Sequence, residues 1–369
     1  MHNVVIVGAG PAGLSAALAA AAAGAPVLLI DSNPRLGGQY WRMSSDDVGQ
    51  QGEQHFDLET GLILINAVKA RKEIEVLSGA QIWSATHKDG VNTLRVIQNG
   101  VEKIINTKNI VLCTGAYDRT LPFPGWDTPG VMTPGGVQSL LKGHGVLAGK
   151  KVVVAGSGPF LLPVAAGVVK AGGEVVELLE ANNSARWLLS PFVMLENVGK
   201  LKEAFYYIKT ISQAKVRARF STAVIAAHKN SEGNLESVDV ATIRGNFKVK
   251  KVRNVKCDVA AVGWGFTADT SLAGALGCKQ IVAKDGGVVV SADGEQQSSI
   301  PGVFVAGEIT GIGGAELSMA EGVIAGISAA KFVGCKVEVL KAHRKRRAKR
   351  QRFADALIKS YPIKHSTNK

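Results

Sequence analysis

The chain has 369 residues, with 43 Lys and Arg against 30 Asp and Glu, 46% hydrophobic and 6% aromatic. At roughly 150 residues per domain it is long enough for two domains with cores of their own. Its four cysteines (Cys113, Cys257, Cys278, Cys335) stand far apart, which excludes a disulfide scaffold, a zinc finger and a CxxC redox centre. Eight basic residues and no acid fall within 341–352, KAHRKRRAKRQR; setting these aside leaves 35 bases against 30 acids, so the excess charge is largely a property of one segment.

Residues 4–30 are almost free of charge, but no basic segment precedes them, and Gly8, Gly10, Pro11, Gly13, Gly24 and Pro26 punctuate the run. Neither a membrane span nor a signal peptide is expected there, and the chain reads as soluble and cytoplasmic. VVIVG (4–8) is instead a buried parallel strand. It runs into Gly8-Ala9-Gly10-Pro11-Ala12-Gly13, an Ala-rich helical stretch and a second strand, PVLLI, that ends at Asp31. The spacing has a physical meaning. Gly8 permits the tight turn, Gly10 lets the backbone approach a diphosphate, and Gly13 lets helix and strand pack closely. The helix start then presents free N–H groups to the phosphates, and a carboxylate at Asp31 can accept from ribose hydroxyls. Gly37-Gly38-Gln39 follows, with two adjacent glycines suited to close backbone approach, and favours a flavin dinucleotide at this site over NAD.

NIVLCTGA (109–116) is the next buried strand, ending at Thr114-Gly115. The design repeats over 150–180. KKVVVAG is a strand, Gly156-Ser157-Gly158-Pro159 a turn, LLPVAAGVVKAG a helix, and EVVELLE a strand ending at Glu180. Here Leu161 takes the third glycine position and should push helix and strand apart. Glu180 favours NAD over NADP, because a 2′-phosphate would meet a carboxylate. NAD or another adenine nucleotide is expected at this second turn. Residues 194–213 read as an amphipathic helix for core or subunit contact. CDVAAVGWG (257–265) and IPGVFVAGEI (300–309) are further strands, the latter ending in Gly307-Glu308. Gly311, Gly313, Gly314 and the helical run AELSMAEGVIAGISAAKF complete the first fold. The expected class is α/β, with two interleaved Rossmann-like dinucleotide-binding domains of three layers, the second inserted in the first. The expected divisions are 1–120 and 266–332 for the first domain, 121–145 as a connection, 146–265 for the second domain and 333–369 as a basic tail.

Other residues carry plainer readings. His87 and His144 suit surface polar positions, and Cys113 and Cys257 suit small buried ones. Trp126 and Trp264 suit packing over turns, with contact to a cofactor ring as the sharper alternative. No protein nucleophile or metal-ligand set emerges. The 341–358 segment can form a helix with Phe353, Ala354, Ala356, Leu357 and Ile358 on an apolar side. It is read as solvated or packed on a neighbouring chain, with peripheral attraction to anionic lipid or an acidic partner as the next reading. Nucleic-acid binding is not expected, since no recognition module accompanies the charge.

With GAGPAG (8–13), CTGA (113–116), GSGP (156–159) and VAGE (305–308) in place, the sequence resembles the glutathione-reductase-like superfamily of FAD/NAD(P)-dependent oxidoreductases. More narrowly, GAYDRTLPFPGWDTPGVMTPGGVQSLLK (115–142), GSGPFLLPVA (156–165), CDVAAVGWGFTADTSLAGALGC (257–278) and EITGIGGAELSMAEG (308–322) look like the FAD/NAD-binding subunit of heteromeric amino-acid dehydrogenases. That group comprises the opine oxidases, hydrogen cyanide synthase and dye-linked proline or hydroxyproline dehydrogenases. The resemblance implies FAD with its diphosphate on the first turn and its adenine ribose on Asp31. Gly307 and Glu308 would lie near the diphosphate and ribityl chain, Glu308 where the family usually has Asp. It implies a flavin-containing partner subunit that oxidises the amino or imino acid, while this chain carries electrons onward. Many relatives continue past the basic helix into a cysteine-rich [2Fe–2S] domain; the expectation here is that a separate small subunit supplies the cluster or that none is used. Gly135-Gly136-Val137-Gln138 stands where disulfide reductases carry their CxxC, so thiol–disulfide exchange is not expected. Two alternatives stay open: a stand-alone NAD(P)H-dependent reductase of a small acceptor or ferredoxin, and a non-catalytic nucleotide-binding scaffold subunit.

Overall fold

The computed structural model describes residues 3–43, 57–183, 198–244 and 248–362, and the chain divides into two compact units. Unit 1 holds described residues 3–43, 57–117 and 267–355; unit 2 holds 118–183, 198–244, 248–266 and 356–362. The segment 121–145, expected from the sequence to be a connection, thus folds with unit 2.

In unit 1, β1 (Val4–Val7) is followed by α1 (Pro11–Ala22), β2 (Val27–Ile30), α2 (Leu58–Ala70) and β3 (Ile74–Leu77). A meander of β4 (Ala80–Lys88), β5 (Val91–Gln98) and β6 (Val101–Thr107) precedes β7 (Ile110–Leu112), and β8 (Ala116–Asp118) carries the chain onward. The sequence reading assigned no elements to the meander. Unit 2 begins with β9 (Val131–Met132) and α3 (Pro134–His144). It continues through β10 (Lys151–Gly156), α4 (Leu161–Lys170), β11 (Glu174–Glu180), α5 (Val198–Gln213) and β12 (Arg217–Phe220). A second meander, β13 (Thr222–Lys229), β14 (Leu235–Arg244) and β15 (Lys248–Lys256), leads to β16 (Val259–Gly263) and β17 (Phe266–Ala268). The chain then adds α6 (Ser271–Ala275), β18 (Gln280–Val282), β19 (Val288–Val290), β20 (Val303–Val305), a 3₁₀ turn (Glu308–Thr310), α7 (Ala315–Phe332) and α8 (Lys341–Ser360). Residues 194–197 of the expected amphipathic helix and 363–369 of the tail lie outside the described residues.

Each unit is built on a five-stranded parallel sheet, ordered β20-β7-β1-β2-β3 in unit 1 and β12-β11-β10-β16-β9 in unit 2. Side chains alternate across a strand, so the continuous apolar runs serve two faces. Val4 and Ile6 pack with α1 and α7, whereas Val5 and Val7 pack with Leu94 and Val96 of the meander. In unit 2 Val152 and Val154 face Val164 and Val168 of α4, while Val153 and Ala155 face Val238 and Val240 of its meander. Both units are therefore three layers: helices, parallel sheet, antiparallel meander.

The closest helix pair in unit 1 is α1 with α7. A Cβ added at Gly322 would lie 2.1 Å from the Ala12 carbonyl oxygen, and one at Gly326 would lie 2.2 Å from that of Ala16. The obstacles are backbone atoms, which cannot turn aside. Gly322→Val is expected to destabilise unit 1 by about 3 kcal/mol through overpacking, measured by chemical denaturation; an unchanged midpoint would show that the two helices do not meet at that contact.

Candidate functional site

The first glycine turn is a knot of backbone contacts. Gly8 has φ +96° and donates its N–H to Ile30 O at 2.8 Å. A Cβ on Gly8 would lie 2.2 Å from Cys113 O, and one on Gly13 would lie 1.7 Å from Gly8 O. Only glycine fits either place, and the tight turn lets α1 start at Pro11. That helix has neither a side-chain cap nor an acid in its first turn. Its first amides lack intrahelical acceptors, and the positive end of the helix dipole faces the same way. An uncapped helix start over a glycine cradle is a site for an anion such as a diphosphate.

Other predicted residues converge here. Gly37 donates to Ala9 O at 2.9 Å, and Gly38 (φ +62°) leaves only 2.8 Å between an added Cβ and Gly10 Cα. Gln39 is exposed and accepts from Arg42. Asp31 is buried, and its carboxylate accepts from Ala9 N at 2.5 Å, Asn33 N at 2.7 Å and Asn33 Nδ2 at 3.1 Å. It therefore holds the turn itself, and a ribose would share its remaining lone pairs. Thr114 Oγ donates to Asp269 O at 2.6 Å, and Gly115 O accepts from Asp269 N at 3.0 Å, both just beyond β7. Gly307 (φ +85°) rests on the first turn of α1, with 2.9 Å from an added Cβ to Ala12 Cβ. Burial raises Glu308 above the usual carboxylate range, opposed by a hydrogen bond from the Gly314 amide, which opens α7.

Unit 2 reproduces part of this arrangement. Gly156 (φ +138°) again sits where a Cβ would strike a neighbouring strand, 1.6 Å from Gly263 O. Glu180 is buried and accepts from Gly158 N at 2.9 Å and Asn182 N at 2.8 Å. Its extra methylene carries it one residue further along the turn than Asp31 reaches. Leu161 acts on where the helix begins. α4 opens at Leu161, two residues beyond Pro159, the position that corresponds to Pro11 where α1 opens, and its first bonds, Leu161 N to Gly158 O and Leu162 N to Pro159 O, span three residues. The Gly158 amide, a donor a phosphate would use, is engaged by Glu180. Asn182 Nδ2 also donates to Ser157 Oγ at 2.8 Å and to Pro362 O at 3.3 Å. The first cradle fits the diphosphate of FAD without change; the second is narrower in what it offers an anion.

Three residues escaped the sequence reading. Glu321, 1% exposed, accepts from Gly307 N and from Arg347; an acid in the middle of a largely apolar helical run was its signal. Asp118 accepts from Gly135 N, and Thr133 Oγ accepts from Gly136 N at 3.0 Å, so the Gly135–Gln138 quartet forms the capped first turn of α3. Burial holds Asp118 above the usual range against its hydrogen bonds from Thr133 and Gly135. Asn182 is the third. Trp264 is buried with Ala181, Ala223 and Ile243, while Trp126 is exposed. His144 is exposed at the end of α3, and His87 pairs with Asn92 Oδ1 at 2.8 Å. The basic helix is partly neutralised within its own unit: Arg344 pairs with Glu295, Arg347 with Glu321 and Arg350 with Glu316. Among the described residues no helix is long and apolar enough to cross a membrane, and no cluster of three His, Cys, Asp or Glu could hold a metal.

The fold and first cradle define a two-domain flavin-nucleotide oxidoreductase. The family model described as pyridine nucleotide-disulphide oxidoreductase matches residues 2–331, and the chain belongs to that family. It has the FAD- and pyridine-nucleotide-binding architecture of that family. A protein named as one of the subunits of opine oxidase, from Agrobacterium tumefaciens (strain Ach5), is 30% identical over 345 residues, 89% of this chain and 65% of that protein. The HcnB subunit of hydrogen cyanide synthase from Pseudomonas protegens is 30% identical over 335 residues, 88% of this chain and 70% of that protein. The chain thus spans about two thirds of the length of these relatives. In structure it is similar to L-proline dehydrogenase from P. horikoshii, with a TM-score of 0.65 at 19% identity, over 99% of this chain and 60% of that one.

The disulphide part of the family's chemistry has no residues here, because the sequence has no cysteine pair. Burial raises the thiols of Cys113, Cys257 and Cys278, Cys257 to about 12, with the charge of Asp258 adding to that shift. A raised pKa leaves almost no thiolate at pH 8, and thiolate is the nucleophile. Iodoacetamide at pH 8 is expected to leave these three unmodified in the native protein and to label them after unfolding, by peptide mass spectrometry; rapid native labelling of Cys113 would contradict the burial described.

Proposed function

We propose that the chain is the electron-transferring subunit of a heteromeric amino-acid dehydrogenase acting on a proline or hydroxyproline, opine or glycine substrate. Its partner is a flavin-containing subunit that oxidises the amino or imino acid, and a small [2Fe–2S] subunit is a further candidate partner. One observation carries the reading: a complete cradle for FAD stands in a chain without a cysteine pair, matched over most of its length by proteins named as subunits of opine oxidase and of hydrogen cyanide synthase.

When bound, FAD supplies the two-electron chemistry that no side chain of this protein provides. The residues bind and orient it. The Gly10, Ala12 and Gly13 amides take the diphosphate around Pro11, which has no N–H to give; Asp31 holds the turn in shape and offers its remaining lone pairs to ribose, and Gly37 and Gly38 admit the chain of the cofactor past Gly10. Gly307 and Glu308 meet the diphosphate and ribityl chain. Thr114 and Gly115 close the carboxyl end of the adjacent strand. In unit 2, Gly156, Gly158 and Glu180 form the pyridine-nucleotide turn, of NAD rather than NADP type because Glu180 opposes a 2′-phosphate.

A second reading, a stand-alone NAD(P)H-dependent reductase, is favoured by one observation: unit 2 keeps a full parallel sheet and glycine turn. The two part on a simple pair of measurements. Purified alone, the chain is expected to be yellow, to oxidise none of these amino acids, and to support oxidation once its partner is added. Rapid stoichiometric bleaching of the flavin by NADH under anaerobic conditions, without a partner, would favour the reductase instead. Gly8→Ala, which drives a Cβ into the Cys113 carbonyl, is expected to lower FAD retention at least about tenfold by overpacking the cradle, read as the flavin-to-protein absorbance ratio after gel filtration.

A further inference from the structure

The buried carboxylate of Glu321 joins two features that the sequence keeps apart. Its Oε2 accepts from Gly307 N at 3.0 Å and lies 2.8 Å from Thr310 Oγ, so it holds both ends of the turn that carries Glu308. Its Oε1 accepts from Arg347 Nε at 3.0 Å and from Arg347 Nη2 at 2.9 Å. Glu321 has little room to move, because the next residue, Gly322, is in backbone contact with Ala12 in the first turn of α1. Its charge is felt at the cradle: it adds to the burial that raises the Cys113 thiol, and Cys113 abuts both Gly8 and Gly13. A fixed anion at this place opposes a diphosphate unless it is cancelled. Arg347 is the cation that cancels it. It comes from the segment whose charge the sequence reading assigned to solvent, lipid or another chain.

We propose that Arg347 is a positioning residue for FAD: acting through Glu321, it fixes the Gly307–Thr310 turn and neutralises a buried negative charge beside the diphosphate cradle. The inference rests on the reading that the diphosphate lies on Gly8–Gly13. Arg344 and Arg350, paired with Glu295 and Glu316, keep the same stretch of α8 against unit 1. The basic helix is on this view part of the flavin site, reaching it through Glu321 and the Gly307 turn. An arginine suits the task because its guanidinium stays charged and reaches one carboxylate oxygen through two N–H groups.

The test is the dissociation constant for FAD, titrated into deflavinated full-length protein and read by flavin fluorescence, with apoprotein melting recorded beside it. Arg347→Ala is expected to weaken FAD binding about tenfold or more, because it strands a buried charge. Arg347→Ala combined with Glu321→Gln is expected to return within about threefold of wild type, since the uncancelled charge is gone. A merely structural role for the helix would not be rescued by deleting a second contact. Wild-type affinity in Arg347→Ala, or a double variant as weak as that single one, would overturn the inference. Should Arg347→Ala fail to fold, the double variant is compared with Glu321→Gln alone. Equal affinity supports the charge-cancelling role, and a further tenfold loss overturns it. A wild-type chain that binds no FAD at all would overturn the cofactor reading itself, and this inference with it.

Discussion

The backbone contact of Gly13 with Gly8, and of Gly8 with Cys113, is the constraint on which the rest of unit 1 depends. With less than 2.5 Å between an added Cβ and a carbonyl oxygen at both glycines, no side chain can enter. The strand therefore turns directly into α1 and leaves the first amides of the helix without partners. From this follow the anion cradle, the alanine-rich face of α1, and the glycines at 322 and 326 that let α7 lie on it. α7 in turn brings Glu321 to Gly307. A cradle suited to an anion is thus assembled from main-chain atoms, which are held in place by packing rather than by charge.

Unit 2 shows what happens when one element of that constraint is relaxed. Gly156 still meets the neighbouring strand through its backbone, and the sheet order is the same in outline. The third glycine is Leu161, however, and the helix begins later, with a first turn of three-residue bonds. Both units use the acid at the end of the second strand to hold the turn, Asp31 on Ala9 and Glu180 on Gly158. In unit 1 this leaves the helix amides open. In unit 2 it engages Gly158, one residue nearer the helix start than Ala9 is in unit 1. The difference is one of a methylene and a helix start, and it bears on how strongly each turn can hold a phosphate.

Charge has a similar local logic. Most of the net charge of +13 sits in a single segment, and there at least three arginines are paired with acids of unit 1. One of those acids is nearly inaccessible, and breaking a buried pair of this kind costs about 3–5 kcal/mol because one charge is left stranded. A basic segment that looks like a solvent-facing tail is in this sense a counterion for the interior. The cysteines follow the opposite rule. Three are buried as neutral thiols, which suits a protein whose redox chemistry belongs to its cofactor.

The sequence by itself determined the two parallel sheets, the two glycine turns, the acids that follow them and the family, because strand runs, backbone-only turns and their spacing are local and leave a periodic trace. Boundaries were less legible: the segment 121–145 carries a short strand and a capped helix that only pairing with β16 assigns to unit 2. The antiparallel meanders also went unread, since exposed apolar residues such as Trp83, Ile97, Ile104 and Val252 blur the alternation that a half-solvated sheet otherwise shows. Only the tertiary structure decided what Asp31, Glu180, Glu321 and Arg347 do. Each acts on a group distant in sequence, from 14 residues for Glu321 and Gly307 to 26 for Arg347 and Glu321. A carboxylate's role depends on which donors surround it once water is excluded, and that is settled by how helices and sheets close on one another.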